Sequence, residues 1–436
     1  MRRLRFVYYF CVSKNRKTMS LTRNTYTATL PNGLRVVMER RQSSAVYCGI
    51  VVGAGTRHED AADSGLAHCV EHLSFKGTLR RSARQITSVL ERRGGELSAF
   101  TTKQETVYYA SVMPSDFLLA ADVLCDLVFC STFPQRALTK EVEVICDEID
   151  SFRDSPAELI FDDFESRLFP GISLGRDILG RPERLRQYAT ADLQRFAGAY
   201  YRPANCVFYV CGDIDFRRAE YAIGMAMQRV GDVSNVACAS ASRYDAVNVA
   251  ETQPFSFVEH KDTHQAHVVV GTATAGGYGT ALRPLQLLTN ILGGAASNAR
   301  FNIALRERAG LVYTVESYLT TYPDVGVWTT YFGCDAHDVR RCLALLHKEC
   351  VRLTAAPLHQ RTLQAAKRQF VRQTQLAADS FEHYALALGR TFAHYGVVRN
   401  VAQICQEIEA ITADELHRVA QQYLTPDKLS TLVYER

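Results

Sequence analysis

The feature that most constrains what this 436-residue chain can fold into is a repeat. Thr190-Ala-Asp-Leu-Gln-Arg-Phe-Ala-Gly-Ala-Tyr-Tyr-Arg-Pro203 aligns with Thr412-Ala-Asp-Glu-Leu-His-Arg-Val-Ala-Gln-Gln-Tyr-Leu-Thr-Pro426. Arg195, Ala197, Tyr200 and Pro203 meet Arg418, Ala420, Tyr423 and Pro426 at one constant offset. Each copy reads as a helix that leaves through proline into a strand. Two amphipathic helices alike by chance would not keep one offset through a proline exit. The chain therefore reads as two homologous α+β domains of roughly 200 residues each, too large for solenoid units. Each is expected to be a mainly antiparallel β-sheet with helices packed on one face.

Composition places the boundaries. Asp232-Val-Ser-Asn-Val-Ala-Cys-Ala-Ser-Ala-Ser loses all periodicity, so 232–254 reads as a linker between domains at 24–231 and 255–436. At the start, Arg2, Arg3 and Arg5 precede the apolar Phe6 to Val12, but Lys14, Arg16 and Lys17 follow at once with no small-residue cleavage site. Residues 1–23 are read as an unstructured extension, with a targeting leader as the alternative. The corresponding location is cytoplasmic, or exported or organelle-targeted if the leader is genuine.

Between these limits the pattern alternates. Thr27 to Met38 reads as two strands around Pro31-Asn32-Gly33, and Val46 to Gly53 as a third. Ile86 to Arg92 is helical up to Gly94-Gly95, and Glu96 to Val112 reads as one long strand rich in Thr, Tyr and Val. Phe117 to Phe129 is an apolar helix, 139–169 is acidic and helical with a break at Pro156, 186–201 is helical, and Cys206 to Cys211 is a strand. Hydrophobic content of 47%, charged content of 22% and a net charge of +4 are those of an ordinary globular protein without a nucleic-acid footprint. Thirteen cysteines with no C-x-x-C pair point to reduced thiols rather than a disulfide framework. No apolar run approaches the ~18 residues of a membrane span.

The chemistry concentrates in Gly65-Leu-Ala-His-Cys-Val-Glu-His-Leu-Ser-Phe75. At about 100° per residue, His68, Glu71 and His72 share one helix face, and Leu66, Val70 and Leu73 the opposite one. Two neutral imidazoles one turn apart can grip a single Zn²⁺, and a carboxylate beside them can deprotonate a metal-activated water. The order H-x-x-E-H inverts the H-E-x-x-H arrangement found on helices of known zinc peptidases. Two helix histidines beside a cleft with a salt-bridging glutamate would show the same spacing, so a third ligand is needed. Glu141, Glu143, Asp147 and Glu148 are available in one acidic helix; Glu141 and Glu148, two turns apart, share a face. Spacing alone leaves the choice among them open. His260, His264 and His267 form a weaker rival cluster in a segment that reads as extended, where His264 and His267 would face opposite ways. Cys69 sits between the two helix faces and is assigned to packing.

Gly65-Leu-Ala-His-Cys-Val-Glu-His-Leu-Ser-Phe-Lys-Gly-Thr78 resembles the pitrilysin family of zinc peptidases, in the branch of the mitochondrial processing peptidase beta subunit and its bacterial relatives. The likeness runs from about residue 24 almost to the end. Gly53-Ala-Gly-Thr-Arg-His-Glu59 resembles the family's approach loop, and Gly94 to Tyr109 its substrate-binding edge strand. Glu141-Val-Glu-Val-Ile-Cys-Asp-Glu-Ile149 resembles the helix of the third ligand, which puts that role on Glu148 and a supporting one on Glu141. Leu305-Arg-Glu-Arg-Ala-Gly-Leu-Val-Tyr313 resembles the second-domain motif whose Arg and Tyr face the scissile bond, here Arg306 and Tyr313. Two positions depart from the family: Ser98 replaces an Asn and Gln104 an acidic residue.

The resemblance implies a zinc-dependent endopeptidase with one Zn²⁺ per chain, held by His68, His72 and Glu148 in the first domain. Glu71 would be the general base, and Arg306 and Tyr313 would stabilise the oxyanion. Peptides or unfolded segments would add as a strand along Ser98, Ala99, Phe100 and Thr101. Because larger relatives join four such domains around a chamber, this chain is expected to form a homodimer with two composite sites, a heterodimer with a related subunit being the alternative. The competing function is a non-catalytic or partner-dependent subunit of a processing-peptidase-like complex.

Overall fold

The computed structural model describes residues 20–21, 24–231, 246–277 and 279–436. The extension read over residues 1–23 falls outside them except for Ser20–Leu21, which are not unstructured but form a two-residue strand. So do residues 232–245 of the linker, whose remainder holds a single tight turn at Val249–Glu251.

The first sheet contains β1 (Ser20–Leu21), β2 (Thr25–Thr29), β3 (Arg35–Arg40), β4 (Val46–Val52), β5 (Glu96–Thr101), β6 (Thr106–Val112) and β7 (Cys206–Gly212), in the order β1-β2-β3-β7-β4-β6-β5. Only the β3–β7 pairing is parallel. The β2–β3 turn forms as expected: Gly33 takes φ +90°, and the Asn32 side chain accepts from the Leu34 N–H at 3.1 Å. The same half holds α1 (Leu66–Ser74), α2 (Ala83–Glu91), α3 (Phe117–Phe129), α4 (Gln135–Arg153), α5 (Pro156–Leu168), α6 (Pro182–Leu185), α7 (Thr190–Tyr200) and α8 (Phe216–Val230).

Two expectations need correction here. The long strand at 96–112 is a hairpin, β5 and β6, joined at Thr102-Lys103-Gln104-Glu105. The turn has no glycine or proline to announce it. Instead the Thr102 hydroxyl accepts from the N–H groups of Gln104 and Glu105, and the Thr102 N–H donates to the Glu105 carbonyl at 2.8 Å. The helix expected at 186–201 forms only from Thr190, as α7, with the separate short α6 ending before it at Leu185; Asp192 accepts from the Ala189 N–H at 3.0 Å and starts α7 there.

The second sheet contains β8 (Ser256–His260), β9 (Ala266–Ala275), β10 (Val312–Thr321), β11 (Val325–Cys334) and β12 (Ser430–Glu435), in the order β10-β11-β9-β12-β8, with β8–β12 parallel. Its helices are α9 (Leu282–Gly293), α10 (Val339–Ala355), α11 (Gln360–Ala377), α12 (Phe381–Tyr395), α13 (Val401–Ala410) and α14 (Ala413–Tyr423). Strands β3, β7, β4, β6 and β5 correspond in order and direction to β8, β12, β9, β11 and β10. The repeat seen in the sequence is thus a repeat of topology, and the α+β class with a mainly antiparallel sheet in each half holds.

Each sheet packs its own helices on one face. The first buries Val36, Ile50 and Phe208 under Leu66, Val70, Val123 and Ile223 of α1, α3 and α8. The opposite faces are closed by an exchange. Ile160, Phe164 and Leu168 of α5, from the first half, pack on Val269, Ala273, Val327 and Leu432 of the second sheet. Ala385 and Leu388 of α12, from the second half, pack on Val37, Val51, Val107 and Val207 of the first. The approach is close enough to require glycine: a Cβ on Gly389 would lie 2.4 Å from the Tyr209 ring.

Polar contacts pin the same junction. Arg57, fully buried, binds Asp324 of the β10–β11 turn through two 2.9 Å bonds and donates to Gln104 Oε1 at 2.8 Å. The departure at Gln104 therefore places a neutral amide beside an arginine whose charge Asp324 already balances.

Candidate active site

Helix α1 begins where two backbones nearly touch. Gly65 has φ +73°, and a Cβ there would lie 2.4 Å from the Leu179 carbonyl oxygen. The buried Glu59 carboxylate caps the helix, accepting from the N–H groups of Gly65 at 3.1 Å and Ala67 at 2.8 Å. Leu66, Val70 and Leu73 are fully buried in the core as the helical wheel requires. Cys69 packs with them, its thiol pushed up to about 12 by burial.

On the other face the histidines meet α4. Glu148 Oε2 lies 3.6 Å from His72 Nε2 and 3.9 Å from His68 Nε2, and the three ligand atoms fall within 4.8 Å of one another. A tetrahedral ion with bonds of about 2.1 Å separates its ligand atoms by about 3.4 Å. His68, Glu148 and His72 therefore fit a zinc ion with only small adjustment. The two imidazoles differ in protonation. Burial, with the neighbouring His72, pushes His68 down to about 3, which keeps its imidazole neutral. The His72 Nδ1 lies 3.1 Å from Glu141 Oε1, so in the neutral ring Nδ1 carries the proton and the Nε2 lone pair faces the cluster. Burial opposes a charged His72, but the Glu141 bond and the surrounding carboxylates outweigh it and hold its pKa above the usual imidazole range.

The structure also sorts the acidic helix. Glu141 and Glu148 turn toward α1, whereas Glu143 pairs with Arg186 on the surface. Lys76 joins Glu141 Oε2 at 2.7 Å, a partner that sequence spacing did not mark although it lies four residues beyond His72, just past the end of α1. The His260 cluster does not form. β8 and β9 are separate strands, and His267 Nδ1 is bonded to the Tyr331 hydroxyl at 2.8 Å. Among the described residues one other group of metal-capable side chains exists, Asp335, His337 and Asp338. It lies at the surface beside the N-terminus of α10, where the helix dipole opposes a cation.

Glu71 is buried beside the cluster, and its Oε2 accepts the Thr101 hydroxyl at 2.8 Å. Burial raises its pKa, with the Thr101 bond acting the other way. Thr101 ends β5, the outermost strand, which pairs with β6 through Ser98–Tyr109, Ala99–Tyr108 and Phe100–Val107 and has no strand on its other edge among the described residues. The open edge thus runs directly to the Glu71 carboxylate. Thr101 was expected to contribute backbone only; its side-chain bond to Glu71 is an addition that no sequence pattern signals.

Arg306 and Tyr313 are not part of this cluster within the chain. Arg306 lies within a short π-helical turn (Asn302–Glu307), and Tyr313 is the second residue of β10. The Arg306 guanidinium lies 5.9 Å from the Tyr313 ring centroid and 3.9 Å from Glu307, and Tyr313 is 84% exposed.

Residues 35–181 match the family described as insulinase (peptidase family M16), and residues 189–370 match the peptidase M16 inactive domain. A Bacillus subtilis protein described as the uncharacterized zinc protease YmxG is 29% identical, covering 93% of this chain and 97% of its own length. The uncharacterized zinc protease Mb2805c of Mycobacterium bovis is 30% identical, over 91% and 90% respectively. Among solved structures, a protease from Helicobacter pylori superposes with a TM-score of 0.85 at 18% identity, covering 94% of this chain and 99% of its own. A peptidase M16 inactive domain from Pseudomonas fluorescens gives 0.84 at 17% identity, over 94% and 97%. With both halves matched and relatives aligned along nearly their whole length, the chain belongs to peptidase family M16, the insulinase family.

Proposed function

We propose that this chain is a zinc-dependent endopeptidase. The observation that carries the reading is the convergence of His68, His72 and Glu148 beside Glu71, at the end of a strand with an open edge. The relatives' descriptions as zinc proteases support it. One zinc per chain would be held by those three side chains. Bound zinc supplies Lewis-acid chemistry, lowering the pKa of a water toward about 7 and polarising the scissile carbonyl.

The chain's own residues do the rest. Glu141 holds His72 in the tautomer that leaves Nε2 free, and Lys76 holds Glu141. Thr101 fixes one oxygen of Glu71, leaving Oε1 to take the proton of the attacking water and pass it to the leaving amine. Burial strengthens Glu71 as a base by raising its pKa. The peptide lies along β5 from Ser98 to Thr101, held by backbone bonds that tolerate many sequences. Ser98, shorter than Asn, offers one hydroxyl in place of an amide's paired donor and acceptor.

Arg306 and Tyr313, paired and exposed, act in trans: those of one copy complete the site of a second copy, where a single oxyanion donor is worth ~3 kcal/mol. The test has two arms. Purified protein should carry stoichiometric zinc and cleave quenched peptides internally, and Glu71→Gln should keep the zinc and lose cleavage. Mixing inactive Glu71→Gln chains with inactive Arg306→Ala chains should restore about a quarter of wild-type activity, because half the dimers then hold one intact composite site. Zinc without cleavage refutes the peptidase; no restoration on mixing refutes the shared site.

A further inference from the structure

The β5–β6 turn holds three consecutive polar residues that are almost wholly buried: Lys103 is 3% exposed, Gln104 8% and Glu105 0%. Each is gripped by a different element. Lys103 binds Glu165 of α5 at 2.7 Å, and Gln104 accepts from Arg57, which is locked to Asp324 of the β10–β11 turn. Glu105 is held by α12: Arg390 Nε donates to its Oε1, and His394 Nε2 meets its Oε2. Burial would push the Glu105 carboxyl up, but His394 and Arg390 outweigh it and hold it below the usual carboxylate range. A buried carboxylate with both oxygens engaged cannot shift without leaving charge unpaired, so these contacts fix position as well as bind.

What they fix lies one residue from the chemistry. The Glu105 carbonyl accepts the Thr102 N–H that closes the turn, and the next residue back, Thr101, donates to Glu71. We propose that Glu105 is a positioning residue, through which α12 of the second domain holds the end of the edge strand and the Thr101 hydroxyl on Glu71. The proposal rests on the peptidase reading for its kinetic consequence and on geometry alone for its structural one. Misplacing a catalytic group by 1 Å can cost about 100-fold. With Lys103 and Gln104 still anchoring the turn, losing the Glu105 grip should cost about tenfold in kcat.

The test uses the full chain in five variants: Glu105→Gln, Arg390→Met, Arg390→Lys, Thr101→Val, and Tyr384→Phe. The last removes the bond from α12 to Glu39 and controls for loosened packing away from the turn. Hydrogen exchange of the β5 amides in metal-free protein is read beside kcat and KM on a quenched peptide. Glu105→Gln and Arg390→Met should speed β5 exchange and lower kcat by about tenfold with KM changed less than about twofold. Arg390→Lys should recover part of both, and Glu105→Gln should add little to Thr101→Val. The proposal is overturned if β5 exchange is unchanged, if Tyr384→Phe reproduces the effect, or if the Glu105 and Thr101 losses multiply. Should Glu105→Gln fail to fold, Arg390→Met decides, since Arg390 is half exposed. If the wild type cleaves no peptide, the peptidase reading fails separately and the exchange comparison alone decides whether α12 fixes β5.

Discussion

Replacing Asp324 with alanine tests how the two domains are joined. Arg57 is fully buried and its charge is met by Asp324 through two 2.9 Å bonds, with Gln104 supplying a third, neutral contact. Asp324 also accepts from the Val247 N–H at 2.9 Å. Removing one partner of a buried pair costs about 3–5 kcal/mol, because the other charge is left without compensation. Asp324 keeps a little solvent contact and Gln104 retains part of the solvation, so about 3 kcal/mol is expected. At a urea dependence of about 3 kcal/mol/M this moves the unfolding midpoint down by about 1 M. Circular dichroism across a urea series measures it. The double variant Arg57→Met with Asp324→Leu should recover most of the loss, since apolar residues of similar size often replace such pairs without cost. A shift below about 0.3 M for Asp324→Ala would mean that the pair is not a principal tie between the domains.

Three further outcomes follow from the same contacts. Glu141→Gln should weaken zinc binding about 10- to 100-fold, measured by competition with a chromogenic chelator, because His72 loses its charged anchor. Gly65→Ala should destabilise by about 3 kcal/mol, combining a left-handed backbone with a collision against Leu179, and thermal unfolding will show it. For Asp324 and Glu105, burial works against the ionised forms, but Arg57 in one case and His394 with Arg390 in the other hold both pKa values below the usual range. Their contribution to stability is therefore complete above the ordinary carboxylate pKa near 4 and is lost as pH falls through the depressed folded values. Urea midpoints should drop below about pH 4 in the wild type, and less steeply in Asp324→Ala.

What could be read from the sequence was what local periodicity encodes. His68, Glu71 and His72 share a face because three and four residues are one turn, and the structure places all three where the wheel predicts. The choice of Glu148 and Glu141 over Glu143 depends on how α4 crosses α1, which no spacing within α4 determines. The β5–β6 turn escaped because a threonine hydroxyl, not a glycine, makes it. Arg57, Lys103 and Glu105 read as ordinary charged residues; their burial depends on partners as many as 289 positions away in sequence. The exchange of α5 and α12 was equally invisible, since an apolar helix face does not say which sheet it will meet.

That exchange has a consequence for how the chain is made. Strands β1 to β7 are synthesised by residue 212, yet the face carrying Val37, Val51, Val107 and Val207 is closed by Ala385, Leu388 and their neighbours on and just after α12. While the ribosome adds the intervening stretch, the nascent first half must expose an apolar β-surface of the kind that chaperones bind and that aggregates when unprotected. The second half emerges with the opposite situation, because α5 already waits for the sheet it covers. Folding order is thereby asymmetric in a molecule whose architecture is nearly symmetric, and the slow step should be the docking of α12.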